Sequence, residues 1–103
     1  MPTVAQRTID AKSPDGGAFV IGLEIGTPYR CETGEWACPV ALHGLYDHLP
    51  DIAGADSFQA LCLAIRLAQD LLLDFREKGG TLLLDGEDFP LEEAYPIGPA
   101  PRR

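Results

Sequence analysis

Between Phe58 and Phe75 apolar residues recur at alternating steps of three and four: Phe58, Leu61, Ile65, Ala68, Leu72 and Phe75. That spacing places them on one stripe of an α-helix. Leu63, Ala64, Leu67 and Leu71 widen the stripe, so the predicted buried arc is broad. Asp56 marks the start, because its carboxylate can accept from exposed amides of the first turn. Gln59, three residues on, completes the spacing of a capping box. Gly79-Gly80 supplies a left-handed stop, and Arg76 and Lys78 fall near the negative end of the helix dipole. About 22 residues at 1.5 Å each give a helix of roughly 33 Å, long enough to cross a sheet.

Elsewhere the period shortens to two. Ala18 to Thr27 alternates most cleanly, with Phe19, Ile21, Leu23 and Ile25 on one face and Ala18, Val20, Gly22, Glu24 and Gly26 on the other. The small residues Gly22 and Gly26 leave room for something to approach the second face. Thr3 to Lys12 is a shorter, partly alternating strand in which Val4 and Ile9 have opposite parity. Ser13-Pro14-Asp15-Gly16-Gly17 between them is a turn: Pro presets φ, Asp bonds nearby backbone and Gly accepts positive φ. Pro28 to Gly34 reads as a loop. Glu35 to Tyr46 alternates again, with Trp36, Cys38, Val40, Leu42 and Tyr46 on one side. Pro39 cannot donate to a ladder, so this strand should lie at an edge or carry a bulge. Asp47 to Ala55 is a connection, Thr81 to Leu84 a short last strand, and Asp85-Gly86 a turn.

The order β-β-β-α-β predicts an α+β fold: an antiparallel β-meander of about four strands with one long amphipathic helix packed across one face. The last strand is expected beside the first, and the third at an edge. Residues 1–95 make one domain, a usual size for a chain of 103 residues. Phe89, Leu91 and Tyr95 are expected to dock the start of the acid- and proline-rich end, and residues 96–103 to form a disordered tail. One helix covers only one face, so the other must be solvated or met by a partner.

The formal charge of −8 comes from 16 acidic against 8 basic residues. Arg7, Lys12, Arg30, Arg66, Arg76, Lys78, Arg102 and Arg103 form no cluster in the sequence. Nucleic-acid binding needs grouped Lys and Arg to replace phosphate counterions, so none is expected. Opposite charge favours a basic protein partner, although the same surplus also keeps a small protein soluble. Cys31, Cys38 and Cys62 are odd in number, and MPTVAQRTID has neither the basic start nor the hydrophobic run of a secretory leader. A reducing, cytoplasmic location is the expectation. Arg66, Gln69 and Asp70 interrupt the most apolar stretch, so no membrane span is expected.

Chemistry is harder to find. Cys31, Cys38, His43 and His48 offer metal-ligating atoms, but zinc motifs pair their ligands two to four residues apart on tight turns. Cys38 and His43 have opposite parity and point to opposite faces of a regular strand; only a bulge at Pro39 would bring them together. Buried cysteine as a small hydrophobe is the plainer reading. Ser57 lacks a glycine elbow and is explained as part of a helix start. Cys62 lies among apolar helix neighbours, where a thiol is normally inert. His43 and His48 near Asp47 are candidates for acid and base, and strand-end surface residues otherwise. Asp85, Glu87, Asp88, Glu92 and Glu93 lack the loop order of an EF-hand. Gly16-Gly17, Gly22 and Gly26 have no lysine or helix to make a phosphate loop. No cofactor and no resident metal are expected.

Gly54-Ala55-Asp56-Ser57-Phe58-Gln59-Ala60-Leu61, followed by Leu63-Ala64, resembles the G-x-D-S-x-Q-A-L-x-L-A stretch of a family of small, uncharacterised bacterial proteins, a domain of unknown function. Ile25-Gly26-Thr27-Pro28 is similar to its I-G-x-P-like turn and Phe89-Pro90 to its later F-P element. The resemblance runs from about Val20 to Pro90. Its motifs cap and pack, so it implies a fold and no activity.

Two functional classes follow. The first is a non-enzymatic protein-interaction module or homodimer, similar in build to immunity or adaptor proteins, using the helix-free face or the edge strand. Aromatics anchor interfaces, which makes Tyr29, Trp36 and Tyr46, with Glu35, the candidate contact residues; Trp36 is equally suited to the core. The second is a small metal-binding protein or enzyme that uses Cys38, His43 and His48.

Overall fold

A computed structural model describes residues 2–94; the expected tail of residues 96–103, and Tyr95, lie outside them. The elements are β1 (Thr3–Lys12), β2 (Ala18–Gly26), β3 (Tyr29–Arg30), β4 (Trp36–Cys38), β5 (Val40–His43), β6 (Ile52–Gly54), α1 (Ser57–Glu77), β7 (Thr81–Leu84), β8 (Glu87–Asp88) and α2 (Leu91–Ala94). The chain is α+β, with one long helix packed against antiparallel strands. The strand regions divide further than expected, into a five-stranded sheet of order β5-β2-β1-β7-β8 and a three-stranded sheet of order β3-β4-β6. As expected, the strand after the helix lies beside the first, and β5 forms an edge.

The β1–β2 hairpin is the frame. Its turn is closed by Ser13 N–H to the Gly17 carbonyl at 2.8 Å, with Gly16 at φ 94°. Ile9 faces Ile21 and Ala11 faces Phe19 across the ladder. The register shifts between Thr3 and Ala5, a β-bulge at Val4.

The split at Pro39 has a local cause. Its ring nitrogen cannot join a ladder, so the expected strand breaks into β4 and β5, which belong to different sheets. Gly26 is the matching corner on the other limb: its N–H donates to the Pro39 carbonyl at 2.9 Å, and the Cys38 thiol donates to the Gly26 carbonyl at 3.3 Å. One long hairpin is thus folded at Gly26 and Pro39, its base in the large sheet and its tip in the small one. Two expected connections contribute the short strands β3 and β6 to that tip.

α1 begins and ends where its signals stand. Asp56 accepts from the Gln59 N–H at 2.7 Å, and the Gln59 side chain accepts in return from the Ala55 N–H at 2.7 Å. At the other end the Gly79 and Gly80 N–H groups donate to the Arg76 and Phe75 carbonyls, with Gly79 at φ 100°. That is the Schellman arrangement.

The buried stripe differs from the expected one. Ala60, Ala64, Ala68 and Leu72 face the sheets, while Phe58, expected inside, is 75% exposed. Cys62, expected among apolar neighbours, is exposed. The cause is close approach: a Cβ on Gly54 of β6 would lie 2.5 Å from the Ala60 nitrogen. Only small side chains fit there, so the alanines turn inward and the larger residues flank them. Ile9, Ile21, Leu42, Cys38 and Leu82 complete one core shared by both sheets, and Phe89 and Leu91 close it. Asp85 and Gly86, both at positive φ, make the two-residue turn between β7 and β8.

Candidate functional site

Parity decides which side chains reach the face of the large sheet opposite α1. Ile9, Ala11, Ile21, Ile25, Val40, Leu42 and Leu82 point to the core. Their neighbours therefore point outward: Gln6, Thr8 and Asp10 from β1, Val20, Gly22 and Glu24 from β2, Ala41 and His43 from β5. Val20 is 52% exposed. Among the described residues no helix lies on this face.

Glu24 is the organising group. It pairs with Gln6 on one side and Ala41 on the other. Its carboxylate accepts from the Thr3 hydroxyl and lies 3.1 Å from His43 Nε2. Hydrogen bonding by Thr3, and then by His43, holds its pKa below the ordinary glutamate range. His43 sits over Gly22, where a Cβ would come within 3.4 Å of the His43 Cβ. The room predicted above Gly22 is thus taken by a histidine. Around these groups lies a shallow depression of about 420 Å³, lined by Gln6, Thr8, Gly22, Glu24 and His43, among others.

The residues chosen from sequence lie elsewhere. Tyr29 is exposed on β3 and donates its hydroxyl to Asp51 at 2.5 Å. That bond favours the neutral phenol and raises its pKa. Tyr29 pairs with Ala37 and Arg30 with Trp36, so Tyr29 and Trp36 project from opposite faces of the small sheet. Trp36 and Tyr46 are half-buried and pack against the core. Glu35 is exposed in the β3–β4 turn, where its carbonyl accepts from the Cys31 N–H at 2.7 Å. Tyr29 and Trp36 therefore do not share one face of the small sheet.

Cys38 is fully buried, and burial raises its thiol pKa, which keeps it protonated. His43 projects from the outer face, as its parity predicts, and Pro39 does not bring the two together. His48 is exposed in the loop after β5. Among the described residues no three His, Cys, Asp or Glu side chains converge as a metal site. Asp56, beside Ser57, is occupied in capping α1. No helix of the described residues is long and apolar enough to cross a membrane.

Sequence reasoning passed over Gln6, Thr8 and Glu24. Parity places Glu24 with Gly22 on the second face of its strand, but its partners depend on strand register, which no local pattern states. No curated protein and no solved structure matches the chain. A family model does, over residues 5–91, a span that reaches from β1 through both sheets and α1 to the buried Phe89 and Leu91. The chain belongs to the family described as a domain of unknown function, DUF6968.

Proposed function

We propose that this chain is a non-enzymatic interaction module whose helix-free sheet face receives a protein partner with a basic surface. The observation that carries the reading is the outer face of β1, β2 and β5: α1 covers the other side only, and Glu24 stands in a depression there with its charge favoured. A net charge of −8 would speed encounter with a positive protein and repel nucleic acid. Val20, exposed on the same face opposite Asp10, adds an apolar contact of the kind interfaces bury.

Affinity capture from the source cells, followed by reconstitution with the purified partner, tests this. The partner should bind at low salt and dissociate near roughly half-molar salt, where the screening length falls to a few ångströms. Salt-independent capture, or no reproducible partner together with a strict monomer in light scattering, overturns the reading. A concentration-dependent dimer would instead assign the face to a second copy.

A further inference from the structure

β1 is paired unevenly. β2 accompanies it along its length, but β7 pairs only with Asp10, Ala11 and Lys12. β7 then turns away into β8 through Asp85 and Gly86. From Ala5 to Ile9 the second edge of β1 has no strand beside it among the described residues. Alternate backbone N–H and C=O groups along that stretch point outward, the arrangement that accepts an added strand.

The geometry points to strand addition at this edge by an extended segment of a basic protein, one that alternates basic and apolar residues. This rests on the interaction reading above and names its mode. The two faces of the slot set the alternation. On the outer face, a side chain of the added strand leans over Gln6 and Thr8 toward Glu24, two strand spacings or about 9.6 Å away. A lysine or arginine stem covers most of that distance, and the Glu24 side chain, which already leans toward β1 to accept from Thr3, covers the rest. On the inner face, Arg7 stacks its guanidinium 5.1 Å from the Phe89 ring. A second cation there would be repelled, while an apolar residue would pack on the exposed arginine stem.

Charge also decides against a second copy as the occupant. Two chains of charge −8 repel. An antiparallel pairing of two such edges centred on Arg7 would set like charges opposite each other. The bulge at Val4 ends the flat part of the edge and limits the added segment to about five residues.

The test uses the full chain, isotopically labelled, with three synthetic probes. One is an alternating Lys-Val heptapeptide, one its Glu-Val counterpart, and one the Lys-Val peptide N-methylated at alternate residues. The Lys-Val probe should slow exchange of those amides between Ala5 and Ile9 that point away from β2, and shift the Glu24 and His43 resonances. N-methylation should abolish binding, because it removes the ladder hydrogen bonds without altering the protein. Glu24→Gln should weaken the Lys-Val probe about tenfold, whereas Asp70→Asn on the exposed crest of α1 should leave it unchanged. Equal binding of the N-methylated probe, equal binding of the Glu-Val probe, or no binding of any probe overturns strand addition. Protection, in the free chain, of those amides between Ala5 and Ile9 that point away from β2 also overturns it: concentration-dependent protection assigns the edge to a second copy, concentration-independent protection to the chain itself. Should a native partner bind with salt sensitivity while these amides stay unprotected, strand addition falls and the interaction reading stands.

Discussion

Glu24 carries its charge on a sheet face because neighbours stabilise the ionised form. The Thr3 hydroxyl and His43 both hydrogen-bond its carboxylate. A folded pKa below the unfolded one adds stability that is in place above the ordinary glutamate range and is lost as pH falls through the folded value. In an NMR titration the Glu24 carboxyl should therefore have a midpoint below 4.5, and Thr3→Val should move it upward. An unchanged midpoint in Thr3→Val would remove Thr3 as the main cause. Tyr29 has the opposite sign. Its bond to Asp51 raises the phenol pKa, so its contribution is complete below pH 10 and fades above it. The ultraviolet ionisation step lost in Tyr29→Phe should lie above pH 10. Parity alone placed Cys38 and His43 on opposite faces, and a local count suffices for that. The Glu24–His43 meeting needed the β2–β5 register, which is set by the corner at Gly26 and Pro39 rather than by either residue.

At the scale of elements, α1 was the most legible part of the chain, because caps act over one turn. Asp56→Ala should cost about 1 kcal/mol in urea denaturation, with the loss confined to stability and not to fold. Which face of the helix is buried proved less legible. Phe58 and Ala60 both belong to plausible stripes, and hydrophobicity favours the phenylalanine. Contact with Gly54 across the gap favours the alanine, and contact decides. Gly54→Ala should therefore destabilise by about 1–3 kcal/mol through overpacking against the Ala60 backbone; a neutral effect would mean that α1 does not approach β6 so closely. The small sheet escaped the sequence for a related reason. β3 has two residues and β6 three, too few to show a period, and their pairing follows from how the long hairpin folds back. β8 left one readable sign, the Asp85-Gly86 pair that a two-residue hairpin turn demands.

For the whole molecule, one long helix and two antiparallel sheets enclose a single core, and among the described residues no helix lies on the far face of the larger sheet. A surplus of acid over base and an unaccompanied stretch of β1 are the two features that support the proposed preference for a basic strand. The family match to a domain of unknown function supports the reach of this architecture from β1 to Leu91 and assigns it no task.

Accessibility of the helix-free face is the claim on which the proposals rest, and the protein carries its own standards for measuring it. Cys62 is an exposed thiol and Cys38 a buried one. In Val20→Cys, native alkylation read by peptide mass should label residue 20 at a rate close to that of Cys62, while Cys38 reacts only after denaturation. Residue 20 protected to the same extent as Cys38, at concentrations where the chain is monomeric, would contradict the account.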